Sequence, residues 1–143
     1  MEYTKCINYL LTVAQHEVFL IFSENLSQFG ITPGQYGVLA CLWQEESLRH
    51  SLPPKEIATI LRVENSTISG VLDRMEKRGL IDRVLNPTNR RSISVKATKE
   101  GLSLKEPVQA LIDQLNDQVL SIFSPQEKDE LICLLNRMCD QKG

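Results

Sequence analysis

A mainly α-helical fold with one small antiparallel hairpin is predicted by three observations. Apolar residues recur at helical spacing through most of the chain, whereas alternation with a period of two is confined to a stretch after Gly79. Thr32-Pro33-Gly34-Gln35 and Ser124-Pro125-Gln126-Glu127 both have the spacing of a capping box with proline at the first helical position. Residues 63–97 read as a helix followed by a tight hairpin that carries two adjacent arginines.

The elements follow in order. Residues 4 to about 28 form one helix, with Ile7, Leu10, Leu11, Ala14, Val18, Ile21 and Phe22 at three- and four-residue intervals. Phe19, Leu20 and Leu26 widen its stripe beyond what one small domain covers, which points to a dimerisation helix. The next helix starts at Pro33 and runs to about Glu46, with Tyr36, Leu39, Ala40, Leu42 and Trp43 as its apolar face. A polar connection, Ser47–Ser51, leads to Leu52-Pro53-Pro54, where the prolines permit only a short extended piece. A short helix, Lys55–Leu61, turns Ile57, Ala58, Ile60 and Leu61 inward, and Arg62-Val63-Glu64 forms the turn into a helix whose cap is Glu64 or Asn65.

That helix buries Ile68, Val71, Leu72 and Met75 and leaves the opposite face polar. Gly79 supplies its left-handed C-terminal cap. Leu80–Leu85 and Ser92–Lys96 are the strands of the hairpin, and Asn86-Pro87-Thr88-Asn89-Arg90-Arg91 is the turn, with Arg90 near the tip. Thr98 opens a long helix with a seam of Val108, Leu111, Ile112, Leu115, Val119, Ile122 and Phe123, which Pro107 should kink or mark as leaving the winged lobe. The last helix follows Ser124 and buries Leu131, Leu134, Leu135 and Met138. The whole is a winged helix-turn-helix: residues 1–30 a dimerisation helix, 31–100 the winged lobe, 101–143 C-terminal dimerisation helices.

The polar face of the helix after Glu64 is arranged for nucleic acid. Asn65, Ser66, Thr67 and Ser69 are short hydrogen-bonding side chains at its start, suited to base edges in a major groove. Arg74 and Lys77 lie nearer its end and suit phosphates, while Arg90 on the wing suits a narrow minor groove. Arg91 either joins that contact or fixes the wing by pairing with Asp73 or Asp82.

Charge supports this reading once it is divided along the chain. The net charge is −2, yet Lys55 to Lys105 holds eleven Lys/Arg against six Asp/Glu, a net of +5, leaving −7 on the rest. Basic charge therefore gathers on the helix and wing, as an electrostatic footprint on phosphates requires.

Several stretches resemble the MarR family of dimeric winged-helix regulators. These are Ile31-Thr32-Pro33-Gly34-Gln35-Tyr36-Gly37-Val38-Leu39, Lys55-Glu56-Ile57-Ala58, Ser66-Thr67-Ile68-Ser69, Leu72 through Ile81, Asn89-Arg90-Arg91-Ser92 and Lys96 through Gly101, in the family's order. Asn86 and Asn89 depart from it, standing where the family's wing commonly carries acidic residues. The resemblance implies a homodimer on double-stranded DNA, usually a repressor, released by a small aromatic ligand or by thiol oxidation. It points to His16, Phe19, Tyr36 and Trp43 as lining for an effector crevice, and to Cys6, with Tyr3, Tyr9 and Tyr36 nearby, as a redox candidate. Lys5 beside Cys6 agrees, since a neighbouring cation favours the thiolate.

Other chemistries find no support. Cys6, Cys41, Cys133 and Cys139 lack metal-ligand spacing, the latter three reading as packing residues, and His16 and His50 are too isolated for a metal cluster or catalytic triad. No glycine-rich phosphate loop appears, so neither an enzyme nor a cofactor is expected. No apolar run approaches a membrane span and no secretory leader is evident, which leads to the expectation of a cytoplasmic protein. The competing expectation is a dimeric winged-helix module that binds protein partners and reads no specific DNA.

Overall fold

The computed structural model describes residues 2–45, 51–86 and 89–140, the side chains of Glu45, Asn86 and Asn89–Arg91 excepted. Seven helices and a two-stranded sheet follow in order among these residues: α1 (Ile7–Leu26), α2 (Pro33–Glu45), α3 (Pro54–Leu61), α4 (Asn65–Lys77), β1 (Ile81–Asn86), β2 (Asn89–Ala97), α5 (Lys99–Ser103), α6 (Lys105–Val119) and α7 (Pro125–Cys139). The chain divides into two compact units, Met1–Gln109 and Ala110–Gly143.

Local chemistry explains most of the boundaries in the first unit. At the start of α2 the expected capping box is present: Gln35 N–H donates to Thr32 Oγ1 and Thr32 N–H to Gln35 Oε1, both at 3.2 Å. Between α3 and α4, Arg62 takes a left-handed conformation, φ 56°, with its N–H directed at the Ala58 and Thr59 carbonyls. Glu64 is the N-cap of α4 and offers it no side-chain acceptor. At the other end Gly79, φ +80°, donates to Glu76 O and Leu80 donates to Met75 O, the paired bonds of a Schellman cap.

The core of this unit lies where α2, α3, α4 and the sheet meet, with Leu39, Leu52, Ile57, Leu72, Met75, Leu80, Ile81 and Val95 wholly buried. The sheet is antiparallel, pairing Ile81 with Ala97, Arg83 with Val95 and Leu85 with Ile93, and its register shifts between Leu85 and Asn86. The extended piece expected before α3 is a single bridge, Leu52 to Val95, because Pro53 and Pro54 bring no N–H with which to continue a ladder.

Four expectations are corrected. Ile60, expected to face inward, is 51% exposed: it borders the open cavity between α2 and α3, while Leu61 lies against Gly37. The seam expected to run on to Ile122 and Phe123 ends with α6 at Val119, Ile122 being 82% exposed in a 3₁₀ turn. The interruption expected at Pro107 is present: the ring excludes the carbonyl four residues back, so α5 stops at Ser103 and Pro107 lies in the first turn of α6. In the second unit α7 has the apolar spacing expected of it, yet no residue of it is buried, and Leu134, Leu135 and Met138 remain exposed. Cys133 and Cys139 share this exposure and are not packing residues.

The amino-terminal helix is likewise uncovered. A 3₁₀ turn precedes α1 and another follows it, and of its 20 residues only Leu26 is buried. Among the described residues, no helix is long and apolar enough to cross a membrane.

Candidate nucleic-acid interface

The position of α4 follows from its buried stripe. Ile68, Leu72 and Met75 fix one side in the core, so the helical repeat carries Asn65, Ser66, Thr67, Ser69, Asp73, Arg74 and Lys77 to solvent, and all seven are exposed. The first four cluster at the helix start, where a shallow depression of about 540 Å³ is lined by Arg62, Val63, Glu64, Asn65 and Thr67. With no side chain capping that end, its first-turn amides add partial positive charge beside these short groups.

Cations near α4 divide into two kinds. Arg78 is committed to the fold: its Nη2 donates to the Phe29 carbonyl at 3.0 Å, over Gly30, whose φ of +69° and missing Cβ admit the guanidinium. Arg83, on β1, is likewise engaged. It donates to Asp73 Oδ1 at 2.7 Å and to Glu76 Oε1 at 2.8 Å, tying the first wing strand to α4. Burial alone would lower its pKa, but the hydrogen bonds to Asp73 and Glu76 prevail, and the pKa is raised. Arg74 and Lys77 point outward in the last turns of α4.

Sequence reasoning placed Arg91 as the possible partner of Asp73; that carboxylate is held by Arg83, a residue it had not singled out. The only available signal was the abundance of charge in Asp73, Glu76 and Arg83, which does not itself specify a pairing across elements. The side chains of Arg90 and Arg91, their backbone already within β2, lie outside the described residues, as do Pro87 and Thr88 at the turn.

The residues expected to line an effector crevice differ in exposure. Trp43 is 3% exposed and donates its indole N–H to Gly101 O at 3.0 Å, so its ring belongs to the core; Tyr36 meets it with ring centroids 6.3 Å apart. His16 and Phe19 stand exposed on α1. The cavity that Tyr36 does line, about 450 Å³, lies between α2 and α3, with Gly37, Ala40, Cys41, Gln44, Ile60 and Leu61 as its other walls. Cys6 is half-buried at the N-cap of α1; Lys5 beside it pairs with Glu2 at 3.1 Å, and Tyr3 and Tyr9 meet edge-on close by.

Comparison with known proteins adds to this geometry. Residues 31–93 match the model of the MarR family. The chain is 31% identical over 113 residues to the transcriptional regulator PecS of Dickeya dadantii (strain 3937), an alignment covering 78% of this chain and 67% of that one. It is 35% identical over 104 residues to the transcriptional repressor MdtR of Bacillus subtilis (strain 168), covering 73% and 64%. These alignments span about two thirds of the relatives' own length. Among solved structures, MepR of S. aureus in complex with DNA superposes with a TM-score of 0.82 at 26% identity, covering 93% of this chain and 96% of that one.

Proposed function

The chain belongs to the MarR family, and from that premise we propose that it is a transcriptional regulator that binds a pseudo-palindromic operator as a homodimer and represses by occluding a promoter. The observation that carries this reading is the exposed face of α4, four short polar side chains followed by two cations, beside an arginine-bearing hairpin. In this reading Asn65, Ser66, Thr67 and Ser69 contact base edges, Arg74 and Lys77 contact phosphates, and Arg90 with Arg91 enters the flanking minor groove. The superposition on a relative solved with DNA supports the same use of the lobe.

Dimerisation is supported by the uncovered apolar faces of α1 and α7. Ile7, Leu10, Leu20, Leu134 and Met138 are each two-fifths exposed or more, more apolar surface than an isolated protomer keeps in water. Two protomers then set two α4 helices in successive major grooves about one helical turn apart. The protein acts in the cytoplasm, where its DNA is, and performs no catalysis. An effector, a small aromatic molecule or an oxidant acting at Cys6, releases DNA by favouring a dimer with the wrong spacing between its readers. Among solved relatives, BpsR of Bordetella bronchiseptica is described as regulated in DNA binding by 6-hydroxynicotinic acid.

The test is selection of bound fragments from a random duplex pool, followed by titration of the enriched site at several salt concentrations. An enriched inverted repeat, bound with a steep salt dependence that flattens in Arg90→Ala, supports the reading. A second reading, a winged module for protein partners, is favoured by one observation: Leu85 and Ile93 face each other across the hairpin, 65% and 48% exposed. Failure to enrich any sequence would favour it over the first.

A further inference from the structure

We propose that Arg83 is a positioning residue for DNA recognition, setting the wing against the reader helix and cancelling two carboxylates that would otherwise face the phosphates. The inference rests on the DNA-binding reading above. Arg83, in β1, is in register with Val95, which is itself bridged to Leu52 by two backbone hydrogen bonds, so its side chain leaves a backbone that is already fixed. From there it reaches back ten residues to Asp73 and seven to Glu76. Two separate nitrogens, Nη2 and Nη1, engage the two carboxylates, so the guanidinium plane and the direction of the bond are both defined. Its side chain is 23% exposed while those of Asp73 and Glu76 are 60% and 42% exposed, so the guanidinium is the enclosed partner and the carboxylates the outer ones.

Asp73 belongs to the exposed face of α4, one turn after Ser69 and one turn before Lys77. Without a counter-charge it would repel the backbone that Arg74 and Lys77 are to hold. Arg83 thus acts through its neighbours: it ties β1 to α4, which fixes the pitch of the hairpin, and it neutralises the acidic part of the reading face. A lysine in its place supplies the charge without the fork.

Binding of the enriched operator by the full chain separates the possibilities, using Arg83→Met, Arg83→Lys, Asp73→Asn/Glu76→Gln and the triple combination. The proposal expects about tenfold weaker binding by Arg83→Met, with the part lost to uncompensated carboxylates recovered in the triple variant and the flanking protection still missing there. It expects Arg83→Lys and Asp73→Asn/Glu76→Gln to lose hydroxyl-radical protection in the flanking minor grooves while the central major-groove contacts persist. In the free protein, faster amide exchange across Asp82–Leu85 should accompany loss of the tie; this readout needs no DNA. If Arg83 itself held a phosphate, the triple variant would stay as weak as Arg83→Met and the salt slope would fall by about one per protomer, which overturns the proposal. Tighter binding by Asp73→Asn/Glu76→Gln with intact flanking protection overturns it too. Wild-type protein that protects no DNA, together with slow wing exchange that Arg83→Met accelerates, would sink the DNA reading and this role in it while leaving the tie itself in place.

Discussion

Replacing Gly101 by alanine tests how the winged lobe is held together. A Cβ on Gly101 would lie 2.3 Å from the Leu80 carbonyl oxygen and 3.5 Å from the Ala97 Cβ, so α5 or the start of β1 has to move by about 1 Å to restore an ordinary contact. Three bonds converge there: Trp43 Nε1 donates to Gly101 O, Gly101 N–H to Thr98 Oγ1, and Thr98 N–H to Leu80 O. Overpacking of this kind costs about 1–3 kcal/mol, and pulling the buried indole N–H off its acceptor about 1–3 kcal/mol more. The better helix propensity of alanine returns about 1 kcal/mol, because Gly101 lies inside α5. The net is a loss of about 3 kcal/mol, equivalent to a fall of roughly 10 °C in Tm for a chain of this size. The assay is calorimetric melting at fixed protein concentration, since a dimer's midpoint depends on it, read beside the fluorescence of Trp43, the chain's single tryptophan. Trp43→Phe, which keeps an aromatic ring but removes the donor and the volume of the indole's five-membered ring, should cost about 2–3 kcal/mol. A Gly101→Ala protein melting within about 2 °C of wild type, with unchanged tryptophan emission, would refute the reasoning.

Three further outcomes are expected. Thr98→Val keeps the shape but removes both the bond to Gly79 O, 2.6 Å, and the cap of α5, so urea unfolding should show a loss of about 1–2 kcal/mol; no change would mean that Gly79 finds water instead. Leu10→Glu combined with Leu20→Glu, on the uncovered face of α1, should turn the dimer into a monomer in sedimentation velocity while helix content stays the same, and a dimer that persists would move the interface elsewhere. In the capping box of α7, Ser124 N–H donates to Glu127 Oε1 at 2.9 Å, and the backbone and side-chain bonds to Ser124 hold the Glu127 carboxyl below its ordinary 4.5. A depressed folded pKa gives stability that is present above 4.5 and lost as pH falls through the folded value, so carboxyl NMR titration should move upward in Ser124→Ala, and an unmoved curve would contradict the assignment.

What the sequence disclosed was chiefly local. The capping boxes at Thr32 and Ser124 and the cap at Gly79 depend on groups within a few residues of one another, so spacing alone specifies them. The stripe of Ile68, Leu72 and Met75 fixed which face of α4 is outward, and hence which candidate contacts reach solvent. Where a feature depends on something across the fold, the same reasoning stopped short. Ile60 has the spacing of a core residue but borders the open cavity between α2 and α3 and stays half exposed. Leu134 and Met138 have the spacing of a buried seam, yet a pattern states only that a face needs cover, not that its own chain provides it. Pro107 announced an interruption, and its steric reach toward the carbonyl four residues back explains why the break falls at Leu104 and not at the proline. Trp43 has the spacing of the apolar face of α2, but a sequence cannot show that its N–H has an acceptor 58 residues away.

Charge counting shows the same limit in a form that matters for function. The surplus of five positive charges between Lys55 and Lys105 assigns equal weight to every Lys and Arg. In the folded chain Arg83 spends its charge on Asp73 and Glu76, and Arg78 is turned onto the Phe29 carbonyl. The cations of α4 left facing outward are Arg74 and Lys77, roughly one to three turns from the short polar groups at the helix start. On the proposed reading, affinity for phosphate depends on a few side chains held at defined positions, and the folded-in arginines govern where those positions are. A globally acidic chain can therefore present a basic reading surface, because the two sets of arginines differ in what they touch and not in how many there are.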